Sequence, residues 1–135
     1  MIDALFQSTT IPAMEQVVNF TEARHNVLAG NVANVDTPGY QARDISVEDF
    51  QTRLKEALDA RRGESQSASE AYGPPGRRLA EVADNPKTIL HHDQSKVGME
   101  FQVTEMVKNQ LHHNTALAIM TSQFRLLQAA ISERA

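Results

Sequence analysis

The chain of 135 residues contains no cysteine and no tryptophan, and only 5% of its residues are aromatic. Without cysteine, disulfides, zinc–thiolate sites and thiol catalysis are excluded. The small number of aromatic side chains provides little material for a compact core. No apolar run reaches the length of about eighteen residues that a membrane-spanning helix requires. A net charge of −4 argues against a nucleic-acid-binding surface.

The N-terminal segment also lacks the features of a secretory signal. It has an acidic residue, Asp3, near its start, and no Lys or Arg precedes Arg24. A signal peptide would instead begin with positive charge and continue into an unbroken apolar stretch. The sequence therefore predicts either a cytoplasmic protein or one that is exported without a cleaved signal.

The strongest pattern lies in the C-terminal third, where no Pro or Gly follows Gly98. Apolar residues there recur in alternating steps of four and three, which is the spacing of a heptad seam. The pattern predicts a helix over residues 99–132, roughly 50 Å long at 1.5 Å per residue. The seam residues are Val103, Met106, Gln110, His113, Leu117, Met120, Phe124, Leu127 and Ile131.

A weaker version of the same seam occupies the N-terminal segment. Pro12 suits the first turn of a helix, with Thr9 or Thr10 as a candidate N-cap. Each terminal helix would therefore have a face that needs a partner. The N-terminal seam residues are Met14, Val18, Thr21, His25, Leu28, Val32 and Val35.

The segment Thr37-Pro38-Gly39-Tyr40 predicts a turn that ends this first helix. Pro38 fixes its own φ and moves Thr37 out of the helical region. Gly39 can take the positive φ that the third position of a type II turn requires. Asn34 or Asp36 could satisfy the backbone groups left free.

Between the terminal helices the sequence changes character. Ser46 to Asp49 resembles a capping box with Asp in place of Glu, and residues 50–58 predict a short amphipathic helix. Residues 62–78 are rich in Ser, Gly, Pro and charge, which predicts a flexible loop. Residues 88–90 could form a short strand.

The predicted fold is mainly α, with long N- and C-terminal helices packed as a coiled-coil-like hairpin around a short irregular middle segment. Residues 1–40 and 98–135 would form one inner helical domain, and residues 41–97 the middle segment. Two helices that pack only on each other bury one stripe of side chains each. Ordering the chain costs about 1–2 kcal/mol of conformational entropy per residue. Such a chain is better suited to burying its seams against copies of itself or against relatives.

The sequence offers little support for catalysis. His91-His92 and His112-His113 are adjacent pairs, and neighbours on a helix point apart, so neither pair readily chelates one metal ion. His25 and His113 are better explained as polar seam residues that set register. Glu100, Glu105 and Lys108 are expected on a solvated helix face. No phosphate-binding loop or nucleophile–base pair is present, so we expect neither an enzyme nor a cofactor.

At the front, the segment "ARHNVLAGNVANVDTPGYQARD" resembles the signature of bacterial flagellar rod and hook proteins, and the back segment "FQVTEMVKNQLHHNTALAIMTSQFRLLQAAI" is similar to their C-terminal helix. The front segment departs slightly from that signature, with Gly30 where Ala is more usual. Seven residues form the motif that carries the resemblance, and the resemblance implies that this motif takes part in assembly. They are Asn31, Asn34, Asp36, Thr37, Pro38, Gly39 and Tyr40.

The resemblance implies a structural subunit of the proximal rod in the basal body, exported by the flagellar type III apparatus. Its partners would be copies of itself, other rod proteins, the junction protein between rod and membrane ring, and the export gate. It would bind neither nucleic acid nor a small-molecule substrate. An alternative is a cytoplasmic helical-bundle adaptor or regulator, and a third is a histidine-dependent metal-binding protein. The seam residues expected to pack in the assembly are Val18, Leu28, Val32, Val103, Met106, Leu117, Met120, Phe124, Leu127 and Ile131.

Overall fold

A computed structural model describes residues 10–61, 86–88 and 97–132. Within these ranges, three helices and two short strands follow one another. They are α1 (Ile11–Ala33), β1 (Arg43–Asp44), α2 (Val47–Arg61), β2 (Lys87–Thr88) and α3 (Val97–Ser132). The mainly helical hairpin predicted from the sequence is confirmed. The predicted loop over 62–78 lies outside the described residues.

The terminal helices α1 and α3 run antiparallel. Asn31, near the end of α1, bonds Gln102 near the start of α3, whereas Thr21 bonds Asn109 further along. With 36 residues, α3 is roughly 54 Å long at 1.5 Å per residue. Its bounds agree closely with the predicted helix over 99–132, because no Pro or Gly after Gly98 interrupts the seam.

Helix α1 begins as predicted but ends earlier. Thr10 is its N-cap residue and Pro12 lies in its first turn, although the Thr10 side chain makes no capping hydrogen bond. The prediction that the Thr37-Pro38 turn ends the helix was wrong by one turn, because the helix ends at Ala33. Val35, which was assigned to the N-terminal seam, therefore lies in the turn and is exposed.

The apolar core lies between α1 and α2. The rings of Phe20 and Phe50 stack with centroids 4.0 Å apart, and Ile45 completes this buried cluster. Half-buried side chains of α1 and α2 surround the three. The middle segment, predicted to be irregular, thus supplies Ile45 and Phe50 to the buried cluster on α1.

The start of α2 shows half of the predicted capping box. The backbone N–H of Asp49 donates to Oγ of Ser46 at 3.1 Å, as an N-cap serine requires. The Asp49 carboxylate does not complete the box. It accepts from Lys87 Nζ at 2.7 Å, and this pair lowers the pKa of Asp49.

The two strands form a minimal antiparallel ladder. Arg43 pairs with Thr88 and Asp44 with Lys87. The sequence predicted a strand at 88–90, of which Thr88 is confirmed and residues 89 and 90 lie outside the described residues. It did not predict β1, which follows the turn and returns the chain to α1.

Candidate functional site

The turn after α1 is held by its own backbone and by Asn34. The Asn34 side chain donates to the carbonyl of Gly30 at 2.8 Å, which adds a second donor to a carbonyl that the Asn34 backbone N–H already bonds at 3.2 Å. The N–H of Thr37 donates to the carbonyl of Asn34, and the N–H of Tyr40 donates to that of Thr37 at 3.1 Å. Gly39 has φ of +77°, so the predicted positive φ is confirmed. Residues 35–39 are exposed at the tip.

Asn31 joins the turn, β1 and α3 through one buried amide. Its Nδ2 donates to the carbonyl of Arg43 at 2.6 Å and to Oε1 of Gln102 at 3.0 Å. Its Oδ1 accepts from the Tyr40 hydroxyl and from the Arg43 N–H, both at 3.1 Å. Because Arg43 presents both a donor and an acceptor, only one orientation of the Asn31 amide satisfies it. Two motif residues, Asn31 and Tyr40, are thus bonded within the subunit.

Arg24 forms a second polar connection, which joins α1 to β1 and α3. Its guanidinium donates to both carboxylate oxygens of Asp44, at 2.8 and 2.6 Å, and to Glu105 at 2.9 Å. The Arg24 side chain is only 5% exposed. Burial acts to lower the pKa of Arg24, but the hydrogen bonds that Arg24 donates to Asp44 and Glu105, with the negative charge of both carboxylates, outweigh burial and raise the pKa. Removing one partner of such a buried group leaves charge uncompensated.

Glu105 also pairs with Lys108, three residues further along α3, at 2.7 Å. The prediction that Glu105 lies on a solvated face was nevertheless wrong, because its side chain is 15% exposed and contacts Arg24. The hydrogen bond from Lys108 is the largest cause that lowers the pKa of Glu105; burial opposes it and Arg24 reinforces it. The carboxylate is therefore held in its charged form.

Thr21 makes the third polar contact with α3. Its carbonyl accepts from Nδ2 of Asn109 at 2.7 Å, and its Oγ1 lies 2.9 Å from Nδ1 of His113. Beside this contact runs an open groove of about 390 Å³, lined by polar side chains that include His25. Between Thr21 and Asn31, the interface of α1 with α3 thus contains several hydrogen bonds.

Helix α3 presents two different faces. The face toward α1 contains the buried side chains of Gln102, Asn109 and Ala116, which recur every seven residues. One residue further on, about 100° around the helix, lies the seam line that contains Val103, Leu117 and Phe124. This line is exposed in the single chain, with Leu117 at 41%.

The other predicted seam residues fall at the margin of the contact. Met106, Met120 and Leu127 are half-buried, and Ile131 is exposed. In α1, Leu28 is fully buried, whereas Val18 and Val32 are half-buried. The role of these residues between subunits stays a prediction.

Sequence reasoning missed the polar residues that connect α1 to α3. The spacing of Gln102, Glu105 and Asn109 places them on one helix face, and this is the signal that could have found them. Polar residues in such a pattern are more often solvated. Their burial depends on Arg24 and Asn31, which lie far away in the sequence.

Metal binding and membrane crossing find no support in the described ranges. No group of three His, Asp or Glu side chains there is placed to hold a metal ion. Within the same ranges, no helix combines the length and apolar character needed to cross a membrane. His91 and His92 lie outside the described residues, and His112 is exposed beside half-buried His113.

Comparison with known proteins adds to this geometry. A family model described as "Flagella basal body rod protein" matches residues 19–41. The flagellar basal body rod protein FlgB of Salmonella typhimurium is 30% identical over 133 residues, which cover 93% of each chain. The chain belongs to the FlgB family of flagellar basal body rod proteins. FlgB of Escherichia coli is 29% identical with the same coverage, and FlgB of Aquifex aeolicus is 29% identical over 90% of this chain and 91% of its own.

The part of the chain that the family model matches coincides with the polar connection. Residues 19–41 contain Thr21, Arg24 and Asn31, which bond to α3, and the whole turn from Asn34 to Tyr40. In this FlgB-family chain, the signature segment therefore supplies contacts inside the subunit as well as an exposed turn.

Proposed function

We propose that this chain is a structural subunit of the proximal rod of the flagellar basal body, which polymerises through its terminal helices. The observation that carries the proposal is the exposed, uncharged seam line of α3, at Val103, Gln110, Leu117 and Phe124. The helix bonds its own α1 with a different, polar face. Its apolar side chains therefore stay available to a neighbour.

The extent of this apolar surface supports a partner. Along α3, further apolar side chains are exposed beside the seam, among them Val107 and Leu111, each 64% exposed. Scattered apolar residues are normal on a protein surface, but apolar side chains that cluster in a strip mark an interaction site. Helices with a heptad seam bury it against other helices. In a rod, the neighbouring helices of other subunits would cover this strip.

The resemblance and the family extend the proposal to partners and location. The neighbours would be copies of this chain and other rod proteins, with contacts to the junction protein at the membrane ring and to the export gate. The subunit would reach the rod through the flagellar type III apparatus without a cleaved signal. Its assembly would help to transmit torque from motor to hook and filament, and motility would require it.

Deleting the gene in the source bacterium tests this role. Electron microscopy of purified basal bodies should show membrane rings without a rod, and the cells should not swim. Wild-type protein and the Glu100→Gln variant, which alters an exposed charge on α3, should restore both. Complete rods in the deletion strain would contradict the proposal and favour an adaptor that binds a partner helix.

A further inference from the structure

A heptad seam does not by itself fix how far one helix is displaced along another. If α3 slips by seven residues along its axis, about 10.5 Å, each seam residue is replaced by the next one of its line. Leu127 then takes the place of half-buried Met120 at the margin of the contact with α1. This replacement is apolar for apolar. At this position the seam therefore tolerates such a slip.

The buried amide of Asn31 tolerates one direction of the slip as well. In the observed register it bonds the Gln102 side chain. A slip of seven residues brings Asn109 to that place, which offers the same kind of carboxamide. The Asn31 contact alone therefore does not select one register.

Arg24 is different because α3 contains few acidic residues. Between Val97 and Ser132 these are Glu100 and Glu105. A slip of seven residues replaces Glu105 with Gly98 or His112, and neither supplies a carboxylate. Glu100 lies five residues away, about 140° around the helix, so it cannot face Arg24 when the same side of α3 is docked. Arg24 meets a carboxylate from α3 in one register only.

The other charged groups near Arg24 do not remove this selection. Asp44 stays with Arg24 in every register, because both belong to the part of the chain before α2. Lys108 and His112 line the groove beside this cluster, together with Lys87 and Glu48. In the slip that brings His112 to the Glu105 position, Arg24 keeps its bond to the Asp44 carboxylate and loses its bond to the Glu105 carboxylate.

We propose that the Arg24–Glu105 pair sets the register of α3 against α1. The pair thereby fixes the position, along the helix axis, at which the exposed seam meets a neighbouring subunit. The first statement concerns the single chain, and the second rests on the proposed assembly. Arg24 and Glu105 are positioning residues, since they lie on the polar face rather than on the exposed seam line.

The absence of native cysteine allows a direct test by thiol cross-linking of the full chain. The pair Thr21→Cys and His113→Cys reports the observed register, in which these side chains are in contact. The pair Thr21→Cys and Met120→Cys reports the register displaced by seven residues. Each pair is treated, at a concentration where chains do not cross-link to one another, with a bifunctional thiol reagent whose reach is shorter than the slip.

Three backgrounds are compared with the wild type. Glu105→Gln removes the carboxylate, Glu105→Gln with His112→Glu moves it one heptad further, and Glu100→Gln is the matched control. We expect Glu105→Gln to lower the ratio of observed to displaced cross-link about tenfold, which corresponds to about 1.4 kcal/mol. Moving the carboxylate should make the displaced cross-link predominate, and Glu100→Gln should change neither.

Two outcomes would overturn the proposal. One is an unchanged ratio in both Glu105 backgrounds. The other is loss of both cross-links together with helical circular dichroism, which would show that Glu105 only stabilises the hairpin. Because the measurement uses the isolated chain, it stands apart from any failure of the proposed rod function, which would be observed in basal bodies.

Discussion

Nδ2 of Asn31 donates to Oε1 of Gln102 across the interface between α1 and α3, and both side chains are about 3% exposed. The two residues differ in how many of their polar groups are hydrogen-bonded. Asn31 makes four hydrogen bonds, to Gln102, Tyr40 and both backbone groups of Arg43. Nε2 of Gln102 is buried, and no acceptor for it lies among the described residues.

This asymmetry predicts unequal effects of the same substitution. Asn31→Leu leaves the four hydrogen-bond partners of Asn31 unpaired. It should lower the free energy of unfolding by about 3 kcal/mol or more, since each unpaired buried group costs about 1–3 kcal/mol. Gln102→Leu leaves one N–H of Asn31 without an acceptor, but it also removes the unpaired Nε2 of Gln102. The free energy of unfolding should therefore change by less than about 1 kcal/mol. Urea unfolding followed by circular dichroism measures both. Equal losses would contradict the assigned hydrogen-bond network.

The same contact shows which parts of the structure the sequence could predict. The bounds of α3 and the positive φ of Gly39 follow from neighbouring residues, so local patterns were sufficient for both. The face by which α3 packs was not predictable in this way. Glu105 and Gln102 are buried by partners 81 and 71 residues away, and without those partners their polar side chains would be solvated.

The core between Phe20 and Phe50 illustrates the same limit. Each aromatic residue lies in a helix that the sequence predicted, but their stacking depends on how the turn and β1 return the chain. That return is held by Asn31 and Arg24 through buried bonds to Arg43 and Asp44. Neither Asn31 nor Arg24 belongs to the predicted N-terminal seam, so the heptad pattern did not indicate this return.

Two glycines, Gly39 in the motif and Gly30 directly before it, should respond to alanine in opposite ways. Gly39→Ala places a side chain at φ of +77° and should lower the free energy of unfolding by about 1–2 kcal/mol. Gly30 lies inside α1, where an added Cβ meets only the Tyr40 hydroxyl at 3.9 Å. Gly30→Ala should raise the free energy of unfolding by about 0.5–1 kcal/mol, because alanine favours helix interiors. Thermal unfolding of the two variants provides the measurement, and a stabilising Gly39→Ala would show that the turn is not fixed.

Acid should weaken the hairpin through Glu105. Its pKa in the folded chain is below the ordinary value of 4.5, because of Lys108 first and Arg24 in addition, against the opposing effect of burial. The stabilisation is therefore complete above about pH 4.5 and is lost as the pH falls through the lower folded value. The free energy of unfolding, measured from about pH 6 to pH 3, should fall less steeply in Glu105→Gln than in the wild type.

A variant that removes only Lys108 separates the two causes of the lowered pKa of Glu105, which are Lys108 and Arg24. Lys108→Met removes the exposed partner but leaves Arg24 in place, so its pH dependence should lie between those of the wild type and Glu105→Gln. Asp49, whose pKa is also lowered, is paired with Lys87 and should retain its own contribution in all three proteins. Parallel curves for the wild type and Glu105→Gln would rule out Glu105 as the source of acid sensitivity.

The exposed seam of α3 provides the sharpest test of assembly. Leu117 is 41% exposed in the single chain, so Leu117→Asp should leave the hairpin folded while placing a charge in a surface that neighbouring subunits would bury. A buried charge without a partner is not tolerated, so rods should be absent and cells should not swim. Thr115 lies about 200° away around the helix and is also exposed, which makes Thr115→Asp the matched control with a milder defect. Rod content of purified basal bodies and swimming are compared at matched protein levels, after circular dichroism has shown that both variants keep wild-type helicity. If Leu117→Asp assembles as well as Thr115→Asp, the seam does not pack between subunits, and the proposed mode of polymerisation is wrong.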